Sequence, residues 1–245
     1  MSEEAKKRKI AFYTIHGIRT SDADVKYLNT NFELQLKNYQ PFFKNVEKVD
    51  VIDGSYGYIG VIANALPIVR RLLQRKTAQE LKFLAKLYDV IIIVSFSFGT
   101  YLSGQVFMTE ELALYTDTEI YWVLFGGVVN CRYQFDKART QPKKILNFCS
   151  LEDEVAKYAP WFFSYGHCGS YGFRYRNGVE SKPLDGKEIV WYSNPKNIGG
   201  GEYSMDPWVI NYHHNNEEHS KGNSWFNSPD HILEMFDELS KLGVY

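Results

Sequence analysis

The chain has 245 residues, enough for one large α/β domain, and its 44% hydrophobic and 23% charged content is ordinary for a globular protein. A formal net charge of −1 offers no broad attraction to nucleic acid or to an anionic membrane. No apolar run approaches the roughly 20 residues a spanning helix needs, and the charged first nine residues lack the apolar stretch of a secretory signal, so a cytoplasmic protein without stable membrane insertion is expected.

In chain order, residues 9–15 (KIAFYTI) read as a short apolar strand that ends at His16-Gly17. Ser21 is placed to cap a helix reaching Tyr39, with Val25, Leu28, Phe32 and Leu36 on one face. Residues 46–52 form a second strand, closed by Asp53-Gly54. Residues 59–87 read as helix interrupted near Pro67, which lies at a first turn or a kink. Residues 90–94 are the third strand and the most apolar one, with a helix over 101–111. A fourth strand covers 119–129, with Gly126-Gly127 near its end; a fifth covers 144–149 and a sixth 189–192. Pro229 opens a closing helix to Leu242, with Ser228 as its cap.

Strands that alternate with helices and are apolar on both faces predict a mostly parallel α/β sheet of about six strands, covered by helices on each side. Residues 158–185 and 195–227 are irregular, rich in glycine and aromatic side chains, as functional loops are. A single domain over 1–245 is expected, with 156–186 as a lid or cap. Cys131, Cys149 and Cys168 are odd in number and without paired spacing, and read as free thiols in a reducing compartment.

The most telling segment is Val90-Ile-Ile-Ile-Val-Ser-Phe-Ser97-Phe-Gly99-Thr. A buried strand stops at Ser-x-Ser-x-Gly and passes into a helix. A tight strand-to-helix turn needs small residues two before and two after the residue it lifts out; Ser95 and Gly99 supply them around Ser97. The competing reading makes Ser97 a simple helix cap. Ser95 is a poorer nucleophile candidate, because bulky Ile93 would flank it.

A serine hydroxyl needs a base within hydrogen-bond reach, and the base needs an orienting acid. After an elbow the partners follow in the order acid, then histidine. Asp153 stands just past the fifth strand, between Glu152 and Glu154, and is favoured as the acid over Glu154. The late segment His213-His214-Asn-Asn-Glu-Glu-His219-Ser220 supplies the base, with His219 first and His214 second; His231 lies in the closing helix. This histidine group fits no usual zinc spacing, and neither metal nor cofactor is expected. Two N–H donors are needed for the oxyanion, and Phe98 and Ile18 are placed to give them. His16 and Gly17 shape that loop, Arg19 stands beside it to meet a substrate anion, and Trp161 and Phe162 offer an apolar wall for an acyl group.

The strings HGIRTS, SFSFGT, NFCSLEDEV and EEHS together resemble the α/β-hydrolase superfamily, and more narrowly compact bacterial serine hydrolases of esterase or lipase type. The resemblance runs from about Lys9 to Leu242. It implies a doubly wound sheet, a Ser97–His219–Asp153 triad and hydrolysis of a small-molecule or lipid ester. Phospholipase or thioesterase chemistry is the enzymatic alternative, and a non-turnover binding or effector module on the same fold is the other. The antiparallel first two strands of larger relatives are absent.

Overall fold

A computed structural model describes residues 7–18, 22–43, 45–57, 63, 66–114, 116–134, 137–149, 153, 158–159, 165–173, 186–191, 203–207 and 229–245. Seven strands form one sheet: β1 (Arg8–Ile15), β2 (Val46–Asp53), β3 (Val90–Phe96), β4 (Glu119–Phe125), β5 (Lys144–Cys149), β6 (Gly186–Trp191) and β7 (Tyr203–Pro207). Their spatial order is β2-β1-β3-β4-β5-β6-β7. The first five are mutually parallel, while β6 runs antiparallel to β5 and β7 antiparallel to β6. The order reverses between β1 and β3, which is where an open α/β sheet leaves a crevice at its carboxyl edge.

The helices are α1 (Asp22–Tyr39), α2 (Pro67–Leu84), α3 (Phe98–Thr109), the single turn α4 (Cys168–Tyr171) and α5 (Pro229–Lys241). Alternation along the strands sends side chains to two apolar layers. Phe12, Ile92, Val94, Val123 and Phe148 pack with Phe32 and Leu36 of α1 and with Ile232, Met235 and Phe236 of α5. Tyr13, Ile15, Ile91, Ile93, Trp122 and Ile145 pack with Ala78 and Leu81 of α2 and with Val106 and Phe107 of α3. The sheet therefore lies between two helical layers, as its doubly apolar strands require. Each fully buried large side chain contributes about 1.5–3 kcal/mol of transfer free energy.

Several boundaries differ from the sequence expectation. Pro67 occupies the first turn of α2, following Leu66 in extended backbone, so it starts the helix and does not kink it. The helix after β3 begins at Phe98, three residues earlier than expected, because the turn consumes only Ser97. β4 ends at Phe125, since Gly126 takes a φ of 52° and turns the chain out of the ladder. The sheet has seven strands instead of six. The extra one, β7, falls inside the 195–227 stretch expected to be irregular. Ser21 and Ser228, the expected caps, and the side chains of Val25 and Leu28 lie outside what is described.

Candidate active site

The carboxyl ends of β1 and β3 lie side by side, with Ile15 paired to Ser95. Beyond them the loop His16-Gly17-Ile18 meets the start of α3. Ser97 sits between β3 and α3 with φ 50° and ψ −118°, and among the described residues it is the one non-glycine at positive φ. A β-carbon makes that conformation costly, by about 1–3 kcal/mol, and such strain persists only where the surroundings impose it. Here they do. Ser97 N–H donates to Phe125 O at 3.0 Å, and Thr100 N–H donates to Ser97 O at 3.0 Å. Thr100 Oγ1 donates to Ser97 O at 2.6 Å and accepts from Val128 N–H at 3.0 Å, tying the turn to the loop after β4.

The Ser97 side chain makes no capping hydrogen bond to α3. The simple-cap reading of this serine is therefore set aside. Ser97 is largely enclosed, with 8% of its surface exposed. Ser95, by contrast, is fully consumed by structure. Its Oγ donates to Val123 O at 3.0 Å and accepts from Trp122 Nε1–H at 2.8 Å.

Two glycines bring the pieces together. A β-carbon on Gly17 would stand 2.9 Å from Ser97 Cβ and 3.4 Å from Ser97 Oγ. One on Gly99 would stand 2.5 Å from Ile15 O and 2.9 Å from His16 O. Neither position has room for a side chain, so the first loop and the α3 start touch backbone to backbone. Phe98 N–H heads α3, where helical amides have no intrahelical acceptor. Phe98 is buried, with its ring 5.7 Å from Tyr101 and 6.0 Å from Tyr165. Ile18 packs on the same cluster of Phe98, Leu102, Val128, Ala159 and Tyr165.

His16 is buried at the loop entrance. Its Nδ1 lies 2.6 Å from Gly17 O, which can only accept, and its Nε2 receives Tyr56 N–H at 3.3 Å. That pattern requires the neutral ring with the proton on Nδ1. Both nitrogens hold backbone, so His16 orders the loop and is not placed as a general base. Tyr56 is the residue that sequence reasoning missed. Its ring lies 4.2 Å from the His16 ring, and its hydroxyl donates to His16 O at 2.8 Å. Burial pushes its phenol well above the usual tyrosine range, and nearby Tyr165 adds to this. It is therefore a neutral donor. The only signal for it in the chain is its place just past β2, next to the point where strand order reverses. Tyr56 also walls an open groove of about 680 Å³, whose other lining includes Lys26, Asn29, Glu33, Asp53 and Lys76.

Asp153 stands just past β5 and is fully buried, and its backbone carbonyl accepts Ser170 Oγ–H at 3.0 Å. Part of the stretch expected to be a lid is built into the sheet's end. Gly166 N–H donates to Val128 O at 2.8 Å and Gly169 N–H to Gly127 O at 2.8 Å. Cys168 in this segment and Cys131 are both buried.

The structure thus brings together Ser97, Phe98, His16, Gly17 and Ile18. His219, Arg19, Trp161 and Phe162 lie outside the described residues, as do His213 and His214; of His231 only the backbone, in α5, is described. In the sequence the histidine segment comes after the expected sixth strand, and the structure adds one more strand between the two. β6 runs antiparallel and ends at the far edge, where Trp191 pairs with Lys144. β7 then returns the chain, so that Pro207 pairs with Gly186, itself opposite Cys149 at the carboxyl end of β5. In the sequence the histidine segment comes after β7.

Among the described residues, no cluster of three His, Cys, Asp or Glu side chains is placed to hold a metal ion. No described helix is long and apolar enough to cross a membrane. No protein-family model matches the chain, and no curated protein matches it.

Proposed function

We propose that the protein is a serine hydrolase of α/β-hydrolase type that cleaves a carboxylic or lipid ester through an acyl-enzyme. The observation that carries this reading is the left-handed backbone of Ser97 at a strand-to-helix turn, with a hydroxyl that caps nothing. Fixed strain at one serine, held by Thr100 and by two glycines that could carry no side chain, fits a nucleophile better than a structural turn.

In the proposed reaction Ser97 Oγ attacks the ester carbonyl while His219 takes its proton. Asp153 holds the imidazole and stabilises its cation. The N–H groups of Phe98 and Ile18 receive the oxyanion. His219 returns the proton to the leaving alcohol, and water repeats the sequence on the acyl-serine to release the acid. His16 and Tyr56 keep the oxyanion loop in register but transfer no proton in the reaction.

The test is labelling of the intact protein with a fluorophosphonate probe and mapping of the labelled peptide. Label on Ser97, lost in a folded Ser97→Ala variant together with p-nitrophenyl ester cleavage, is the expected result. Label retained by that variant would remove Ser97 from the role. Absence of label in the wild type would leave a binding module.

A further inference from the structure

The whole-chain charge of −1 hides a strongly uneven distribution. Helix α2 carries Arg70, Arg71, Arg75, Lys76 and Lys82 against one acid, Glu80. That acid is turned toward the sheet, where it accepts the hydroxyl of Tyr13. The buried side of the helix is Thr77, Ala78, Leu81 and Leu84. The opposite side holds large apolar residues in solvent: Ile68 is 67% exposed, Leu72 58% and Phe83 61%. Helical spacing lines up Ile68, Leu72, Gln79 and Phe83 on one stripe about 22 Å long. Exposed Arg71 and Arg75 run along one border beside Lys82, which pairs with Glu110; Lys76, which pairs with Glu80 and donates to Ser55 O, stands on the other, and Lys86 lies just past the end.

A helix face with isolated apolar side chains set among cations matches an anionic lipid surface. The cations meet lipid phosphates, and the apolar side chains enter the acyl boundary while the helix lies flat. We propose that α2 docks the protein on anionic membrane through this stripe. Nucleic acid would engage the same cations, but it offers nothing to Ile68, Leu72 and Phe83, so lipid is the partner that uses the whole face. The helix lies on the membrane and does not span it.

Docking would also orient the catalytic edge. Arg70 in the first turns of α2 lies over the rings of Tyr101 and Tyr165, at 5.9 and 5.7 Å, and Leu73 packs on the Phe98 cluster. The amino end of the stripe is therefore beside the start of α3. That consequence rests on the proposed hydrolase reading; the docking itself does not.

The experiment is vesicle flotation of the full chain with phosphatidylcholine alone and with phosphatidylcholine containing phosphatidylglycerol. Flotation with the anionic vesicles only, stripped by high salt, is expected. The variants Ile68→Ser/Leu72→Ser/Phe83→Ser and Arg71→Glu/Arg75→Glu should each lower partitioning by about tenfold or more, with unchanged melting curves and unchanged turnover of a soluble ester. These side chains are exposed, so the variants retain the fold. A wild type that stays with the soluble fraction, variants that float as well as wild type, or charge-dependent binding to duplex DNA or RNA without lipid binding would each overturn the proposal. Loss of probe labelling at Ser97 would bear on the hydrolase reading alone.

Discussion

Gly17 lies so close to Ser97 that a β-carbon on the first would stand 2.9 Å from that of the second. Gly17→Ala must therefore displace either the turn at Ser97 or the loop that carries Ile18. The proposed reaction depends on both, and loss of an oxyanion donor alone costs about 100-fold or more. A fall in kcat/KM of about 100-fold is expected, with much slower fluorophosphonate labelling and a stability loss of about 1–3 kcal/mol. Wild-type turnover in this variant would show that the loop is not part of the site.

Ser95→Ala tests the assignment of roles between the two serines. It removes the acceptor of Trp122 Nε1–H and leaves a buried donor unpaired. The expected cost is about 1–3 kcal/mol in denaturant unfolding. Labelling of Ser97 in the folded fraction should continue at a similar rate. Loss of all labelling in a well-folded Ser95→Ala protein would reverse the assignment.

Tyr56→Phe keeps the ring against His16 but deletes the hydrogen bond to His16 O. A drop in kcat of about tenfold with little change in KM is expected, because the loop loses its anchor while the pocket stays. Its phenol is held protonated by burial, so the wild-type pH–rate profile should show no limb from Tyr56 on the alkaline side. A change confined to KM would place Tyr56 in substrate binding instead.

Alkaline stability provides a check on the fold. Burial, and then the neighbouring carboxylates of Asp237, Asp50 and Glu119, push Tyr39, Tyr88 and Tyr121 up from 10.0 to about 12. The unfolded chain loses these protons near pH 10 while the native state keeps them. The stabilisation is thus complete below pH 10 and fades as pH rises toward 12. Melting temperature should fall across that interval, and Tyr88→Phe should flatten the fall. A curve unchanged by this substitution would contradict the contact of Tyr88 Oη with Asp50 Oδ2 at 2.6 Å.

Much of this was legible in the chain. Four of the five parallel strands announce themselves because both faces are buried, so runs such as Val90-Ile-Ile-Ile-Val need no polar alternation, while β2 at the sheet edge keeps exposed Glu47 and Lys48 among its valines. The turn at Ser97 was readable because small flanks are a steric requirement. Strand direction was not: nothing in Lys187-Glu-Ile-Val differs between a parallel and an antiparallel edge, and the return of the chain through β7 had to be seen. Tyr56 was hidden because its importance comes from residues forty positions away. The stripe on α2 was hidden for another reason, since composition averages over a helix whose two sides face different surroundings.

The contact of Gly99 with the ends of Ile15 and His16 has a mechanical consequence. With backbone resting on backbone, the turn at Ser97 and the loop that carries Ile18 cannot drift apart without breaking the junction of β1 and α3. In the proposed reaction their alignment is then settled when the chain folds, not when an ester arrives. Little reorganisation is then left for the encounter itself, and whatever selects among substrates must be sought in the walls of the pocket and not in the assembly of its floor.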